Sequence, residues 1–125
     1  MSIERFGSPG PGAPPFSKAV RAGDLVFVSG QVPMAADGTI VVGGIEAQTR
    51  QSIENIKTIL GSIGLGLKDV VKATVWLDDA RDFPAFNRVY AQHFGEGLPA
   101  RSTTEAKLMV DCKVEIEVIA YSPQK

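Results

Sequence analysis

The chain has 125 residues, 13 basic side chains against 14 acidic ones and no run of either sign, for a formal charge of −1. One domain of this length buries roughly two-thirds of its unfolded surface and holds a core without disulfide or structural metal. The near-zero charge argues against a nucleic-acid or anionic-membrane partner, while one cysteine, Cys112, and one histidine, His93, exclude an internal disulfide and leave zinc almost no ligands.

Residues 1–125 are expected to form a single domain. Met1 to Pro15 is rich in glycine and proline where a secretory signal would be apolar, so it reads as an N-terminal arm. No later run approaches the roughly twenty apolar residues of a membrane span. A cytoplasmic protein is expected. Ser17–Arg21 and Leu25–Ser29 flank Ala22-Gly23-Asp24 and predict a hairpin, its second strand apolar enough to be buried on both faces. Asp37-Gly38 predicts a turn before a short strand over Thr39–Val42.

From Ile45 the period lengthens. Ile45, Thr49, Ile53, Ile56, Leu60 and Ile63 mark one helix face, with stop signals at Gly61 and Gly64. Val71, Ala73, Val75 and Leu77 then alternate with polar or bulky neighbours and predict a strand. A second helix follows Asp82 as N-cap, with Pro84 in its first turn and Phe83, Phe86, Tyr90 and Phe94 as its buried stripe. Two strands complete the chain, Ala100 to about Lys107 and Lys113–Tyr121. The pattern predicts an α+β protein with helices on one sheet face. Trp76, Ile119 and Tyr121 fall on the other face, where a closed oligomer would cover them.

Motifs carrying chemistry are scarce: there is no phosphate loop, nucleophile elbow, paired cysteine or helical histidine pair. Arg101 enters a strand after Pro99-Ala100 and needs an anionic partner, either a local carboxylate such as Glu115 or Glu117 or a bound ligand. Glu115, between Val114 and Ile116, is either an interface carboxylate or a general base with a tuned pKa. Ser29-Gly30-Gln31 ends the most apolar strand, either as an ordinary turn or where backbone meets ligand. Asn87 sits mid-helix, idle or aimed at a neighbour. Cys112 reads as a buried, inert thiol and His93 as a surface or packing residue.

Ser29-Gly30-Gln31-Val32-Pro33, the helix Gln48 to Ile56, Val71 to Val75, Asp82-Phe83 to Asn87, and above all Pro99-Ala100-Arg101-Ser102 with Val114-Glu115-Ile116-Glu117 resemble the RidA/YjgF family of reactive-intermediate deaminases. The likeness runs through nearly the whole chain in order. It implies a chorismate-mutase-like fold, a mixed sheet backed by two helices, and a homotrimer with ligand sites in clefts between subunits. It implies hydrolysis of small 2-imino acids and their enamine tautomers, such as 2-iminobutanoate, 2-iminopropanoate and 2-aminoacrylate, to 2-keto acids and ammonia, with no cofactor or metal. Carried over by position, Arg101 matches the residue that binds the substrate carboxylate and Glu115 the one that activates water. Ser29, Gly30 and Asn87 match pocket residues.

Two positions depart from the archetype. Pro14-Pro15-Phe16 stands where a Gly-Pro-Tyr segment carries a tyrosine, and Thr103 stands where the archetype has a cysteine. Both fall among the matched substrate-binding positions and point to a different subfamily. The alternative they raise is a trimer that binds small carboxylates, or acts like a chaperone, with little deaminase activity. Ribonuclease activity, attached to some relatives, is disfavoured by the lack of a basic and aromatic stripe.

Overall fold

The computed structural model describes residues 3–124. Six strands form one mixed sheet: β1 (Ile3–Phe6), β2 (Ala19–Ala22), β3 (Leu25–Gln31), β4 (Val70–Leu77), β5 (Ala100–Glu105) and β6 (Val114–Tyr121). Their order is β1-β2-β3-β6-β4-β5, with β4 and β5 parallel and every other pair antiparallel. Helices α1 (Gly44–Gly61) and α2 (Phe83–Phe94) pack on one face. The α+β architecture expected from the sequence is present, and no helix among the described residues is long and apolar enough to cross a membrane.

The core lies between helices and sheet. Ile53, Ile56 and Leu60 of α1 and Phe86, Tyr90 and Phe94 of α2 meet Val26, Val28, Ala73, Val75, Val114, Ile116 and Val118 of the sheet. Their alternation leaves the other sheet face uncovered within the chain. Two polar α1 residues fasten loops to this core. Gln48 donates from Nε2 to the Val41 carbonyl (3.0 Å) and accepts at Oε1 from the Lys113 N–H (2.7 Å). Asn55 donates to the carbonyls of Val32 (3.2 Å) and Met34 (3.0 Å).

Several expectations are corrected. The Met1–Pro15 arm contains β1, which pairs with β2 along all four residues. The predicted hairpin forms, with Gly23 at φ 63° supplying the left-handed turn conformation. Its second strand is buried on one face only, because Leu25 and Phe27 are exposed beside buried Val26 and Val28. Thr39–Val42 makes no strand; a single bridge joins Ile40 to Met34. Val71 is exposed and Val70 buried because a bulge between Val70 and Lys72 shifts the alternation by one residue. Asp82 makes no side-chain cap on α2; it closes a short 3-10 turn, Ala80–Asp82, where Asp79 accepts from the Arg81 N–H (2.9 Å).

Candidate functional site

Arg101 stands in β5 directly across from Ala73 of β4, a residue wholly buried under the helices. Residues opposed across a ladder point to the same face, so the Arg101 side chain rises toward α2. Its guanidinium carbon lies 5.5 Å from the ring centre of Phe83, 5.3 Å from that of Phe86 and 4.7 Å from that of Tyr90. Among the described residues it forms no ion pair, so the local carboxylate partner considered from the sequence is excluded.

Among the described residues, three buried polar atoms without partners lie on the elements that hold Arg101 and its rings, and two more, Thr49 Oγ1 and Ser52 Oγ, lie on α1. Asn87 Oδ1 and the Tyr90 hydroxyl on α2, and Thr103 Oγ1 two residues beyond Arg101, have no hydrogen-bond partner among the described residues. Such atoms cost free energy unless a ligand or water satisfies them. A cleft of about 180 Å³ lies beside this group, lined by Leu77, Ala80, Phe83, Thr103, Thr104 and Glu105; it shares Phe83 and Thr103 with the group, and Arg101, Asn87 and Tyr90 do not line it. Tyr90 ionisation is held above its ordinary range by burial, only partly offset by the Arg101 charge.

Glu115 occupies the opposite sheet face. It pairs with Trp76 in β4, and its neighbours Val114 and Ile116 both point into the core. Burial raises its pKa, and the nearby Glu117 charge raises it further. Gly30 lies against it. A β-carbon at Gly30 would overlap the Glu115 carboxylate and stand 3.0 Å from its Cδ, so the bare backbone at this position makes room for the acid. The register slip between Val28 and Gln31 of β3 accompanies this approach. Ser29 donates from Oγ to the Ser17 carbonyl (2.6 Å), tying the strand end to the segment carrying exposed Phe16. A second cleft, about 220 Å³, has Trp76, Lys107, Leu108 and Met109 around Glu115.

The sequence-predicted residues thus fall into two groups. Arg101, Asn87 and Thr103 lie on the helix side; Glu115, Gly30 and Ser29 lie at the uncovered side, with Phe16 on the adjoining segment. One chain cannot bring the two groups together through its own sheet. The aromatic residues beneath Arg101 were legible only as a core stripe, since nothing in their spacing shows a cation resting on them. Cys112 is a buried thiol whose pKa burial pushes up, with the Glu115 charge adding to the shift, and His93 packs with Nδ1 on the Val89 carbonyl (2.9 Å).

Comparison with known proteins supplies the family. The family model described as Endoribonuclease L-PSP matches residues 9–122. A RutC family protein of Pyrococcus horikoshii is 50% identical over 109 residues, covering 86% of both chains. The 2-iminobutanoate/2-iminopropanoate deaminase of Salmonella typhimurium is 42% identical over 110 residues, covering 85% of this chain and 86% of its own. The crystal structure of Escherichia coli TdcF with bound serine superposes with a TM-score of 0.82 at 38% identity, covering 97% of this chain and 98% of that one. The chain belongs to the Endoribonuclease L-PSP family, the RidA/YjgF family its sequence resembles.

Proposed function

We propose that this protein hydrolyses small 2-imino acids and their enamine tautomers to 2-keto acids and ammonia, in clefts between the subunits of a homotrimer. The observation that carries this reading is the Arg101 guanidinium, free of any carboxylate among the described residues and resting on rings of α2, the helix that also carries buried, unpartnered Asn87 Oδ1, with unpartnered Thr103 Oγ1 two residues along the strand of Arg101. A planar guanidinium suits a carboxylate because it grips both oxygens. The Salmonella relative's name and the serine bound to TdcF agree with a small carboxylate-bearing ligand.

In the proposed reaction Arg101 of one subunit holds the carboxylate of the imino acid. The Glu115 carboxylate of a neighbouring subunit takes a proton from water as the water oxygen bonds to the imine carbon, and passes that proton to the imine nitrogen, giving a carbinolamine and restoring the carboxylate. The hydroxyl proton of the carbinolamine then passes to its amino nitrogen, the C–N bond breaks, and ammonia leaves behind a ketone. Burial makes Glu115 a stronger base than an ordinary glutamate. The imine carbon is already electrophilic, so positioning and one proton transfer carry much of the chemistry.

The test generates an imino acid in situ with an amino-acid oxidase and traps it with semicarbazide. Wild-type protein should suppress the trapped product, and Arg101→Ala should not. A second reading, a carboxylate-binding trimer with little turnover, is favoured by Phe16 and Thr103 at the two positions that depart from the archetype. Calorimetric binding of a 2-keto acid without imine hydrolysis would select it.

A further inference from the structure

Arginine is a long side chain that loses much rotamer freedom when it is fixed in one pose. Among the described residues Arg101 has no carboxylate partner to fix it, yet it rests against three rings of α2: Phe83, Phe86 and Tyr90, at 5.5, 5.3 and 4.7 Å. Significant cation–π contacts occur about once per 70–80 residues; here three converge on one guanidinium. Phe86 and Tyr90 are buried, and the rings of Tyr90 and Phe94 stack at 4.5 Å, so the surface beneath the cation is fixed by the core. A guanidinium supported by aromatic rings keeps its in-plane N–H groups for a carboxylate.

We propose that Phe83, Phe86 and Tyr90 are positioning residues, an aromatic cradle that orients the Arg101 guanidinium for a carboxylate before the ligand arrives. The inference rests on Arg101 being the carboxylate anchor of the proposed function. The cradle replaces the carboxylate that usually orients an arginine. A fixed protein carboxylate would compete with the substrate's own; a ring supports the cation without occupying its hydrogen-bonding edge. The Tyr90 hydroxyl is separable from this role, because support comes from the ring face.

The test measures 2-oxobutanoate binding by calorimetry, together with KM and kcat for imine hydrolysis, on the whole protein. Phe83→Leu and Tyr90→Leu should raise Kd and KM about three- to tenfold while kcat changes less. Tyr90→Phe should regain most of the affinity lost in Tyr90→Leu. Arg101→Lys, which keeps the charge and loses the planar face, should weaken binding at least as much as Phe83→Leu. Phe83 is partly exposed, so Phe83→Leu remains informative if Tyr90→Leu fails to fold. Unchanged Kd in Phe83→Leu and in whichever Tyr90 variant folds, with only a lowered Tm, overturns the proposal and leaves the rings as packing. Wild-type protein that binds 2-oxobutanoate without hydrolysing imines removes the deaminase reading, while the cradle is still decided by Kd. Failure of the wild type to bind the carboxylate overturns both.

Discussion

At Gly30, one hydrogen in place of a methyl group determines where the Glu115 carboxylate can lie. In Gly30→Ala the new β-carbon would meet the far end of a side chain that can rotate away, so folding should be little disturbed. Turnover should fall about tenfold or more, because a displaced base loses its hydrogen-bond reach. A Gly30→Ala protein with wild-type kcat would separate Glu115 from the chemistry. Glu115→Gln should retain carboxylate binding and lose about 10²- to 10⁴-fold in kcat. The raised pKa of Glu115 also fixes two signs. As a base it must be ionised, so kcat should fall with decreasing pH at a midpoint above that of an ordinary glutamate. Removing the neighbouring charge in Glu117→Gln should lower that midpoint. For stability the sign is opposite: a carboxyl whose folded pKa exceeds its unfolded value binds more protons when folded, so its contribution declines as pH rises through that window. Glu115→Gln should therefore melt higher than wild type at neutral pH, and the difference should vanish below the ordinary glutamate range.

Helix α1 acts on the site through its polar crossings as much as through its apolar stripe. Gln48 satisfies both the Val41 carbonyl and the Lys113 N–H from one buried side chain, and Lys113 immediately precedes the strand that carries Glu115. Gln48→Leu leaves both backbone groups without that partner and should cost about 1–3 kcal/mol in chemical denaturation, with m unchanged. A loss below about 0.5 kcal/mol would mean that water replaces the amide at little cost. Periodicity revealed α1 and α2 because their apolar stripes are continuous, and it revealed the Val114–Ala120 alternation for the same reason. It misplaced the start of β4, since a bulge shifts Val70 and Val71 without leaving a mark in residue type. It missed β1 because Ile3–Phe6 shows no alternation and precedes a segment rich in glycine and proline. At the site, Arg101 and Glu115 were legible as residues needing partners and through the resemblance. Their division between sheet faces, the rings under the guanidinium and the Gly30–Glu115 approach are products of strand register and tertiary packing, which no local pattern encodes.

Over the whole molecule, the uncovered sheet face and the divided site lead to one proposal. Leu25, Phe27 and Tyr121 are 37%, 42% and 49% exposed on strands β3 and β6, with Trp76 and Ile119 half-buried nearby. We propose that this apolar face is where subunits associate. Assembly through it would let Glu115 of one chain face Arg101 of another. Phe27→Asp places a charge opposite Ile119 on that face, where the fold itself is little affected. It should sediment as a smaller species with intact circular dichroism and lose imine hydrolysis. Mixing discriminates further. Arg101→Ala and Glu115→Gln should each be inactive, but if every site takes its arginine and its glutamate from different chains, subunits exchanged at random should recover about one quarter of wild-type sites. Each intact site needs one half from each variant, and each half is drawn with even odds. If both residues of a site came from the same chain, no mixture would contain an intact site and exchange would restore nothing; full activity in a dilute, monomeric Phe27→Asp protein would rule out the shared site as well.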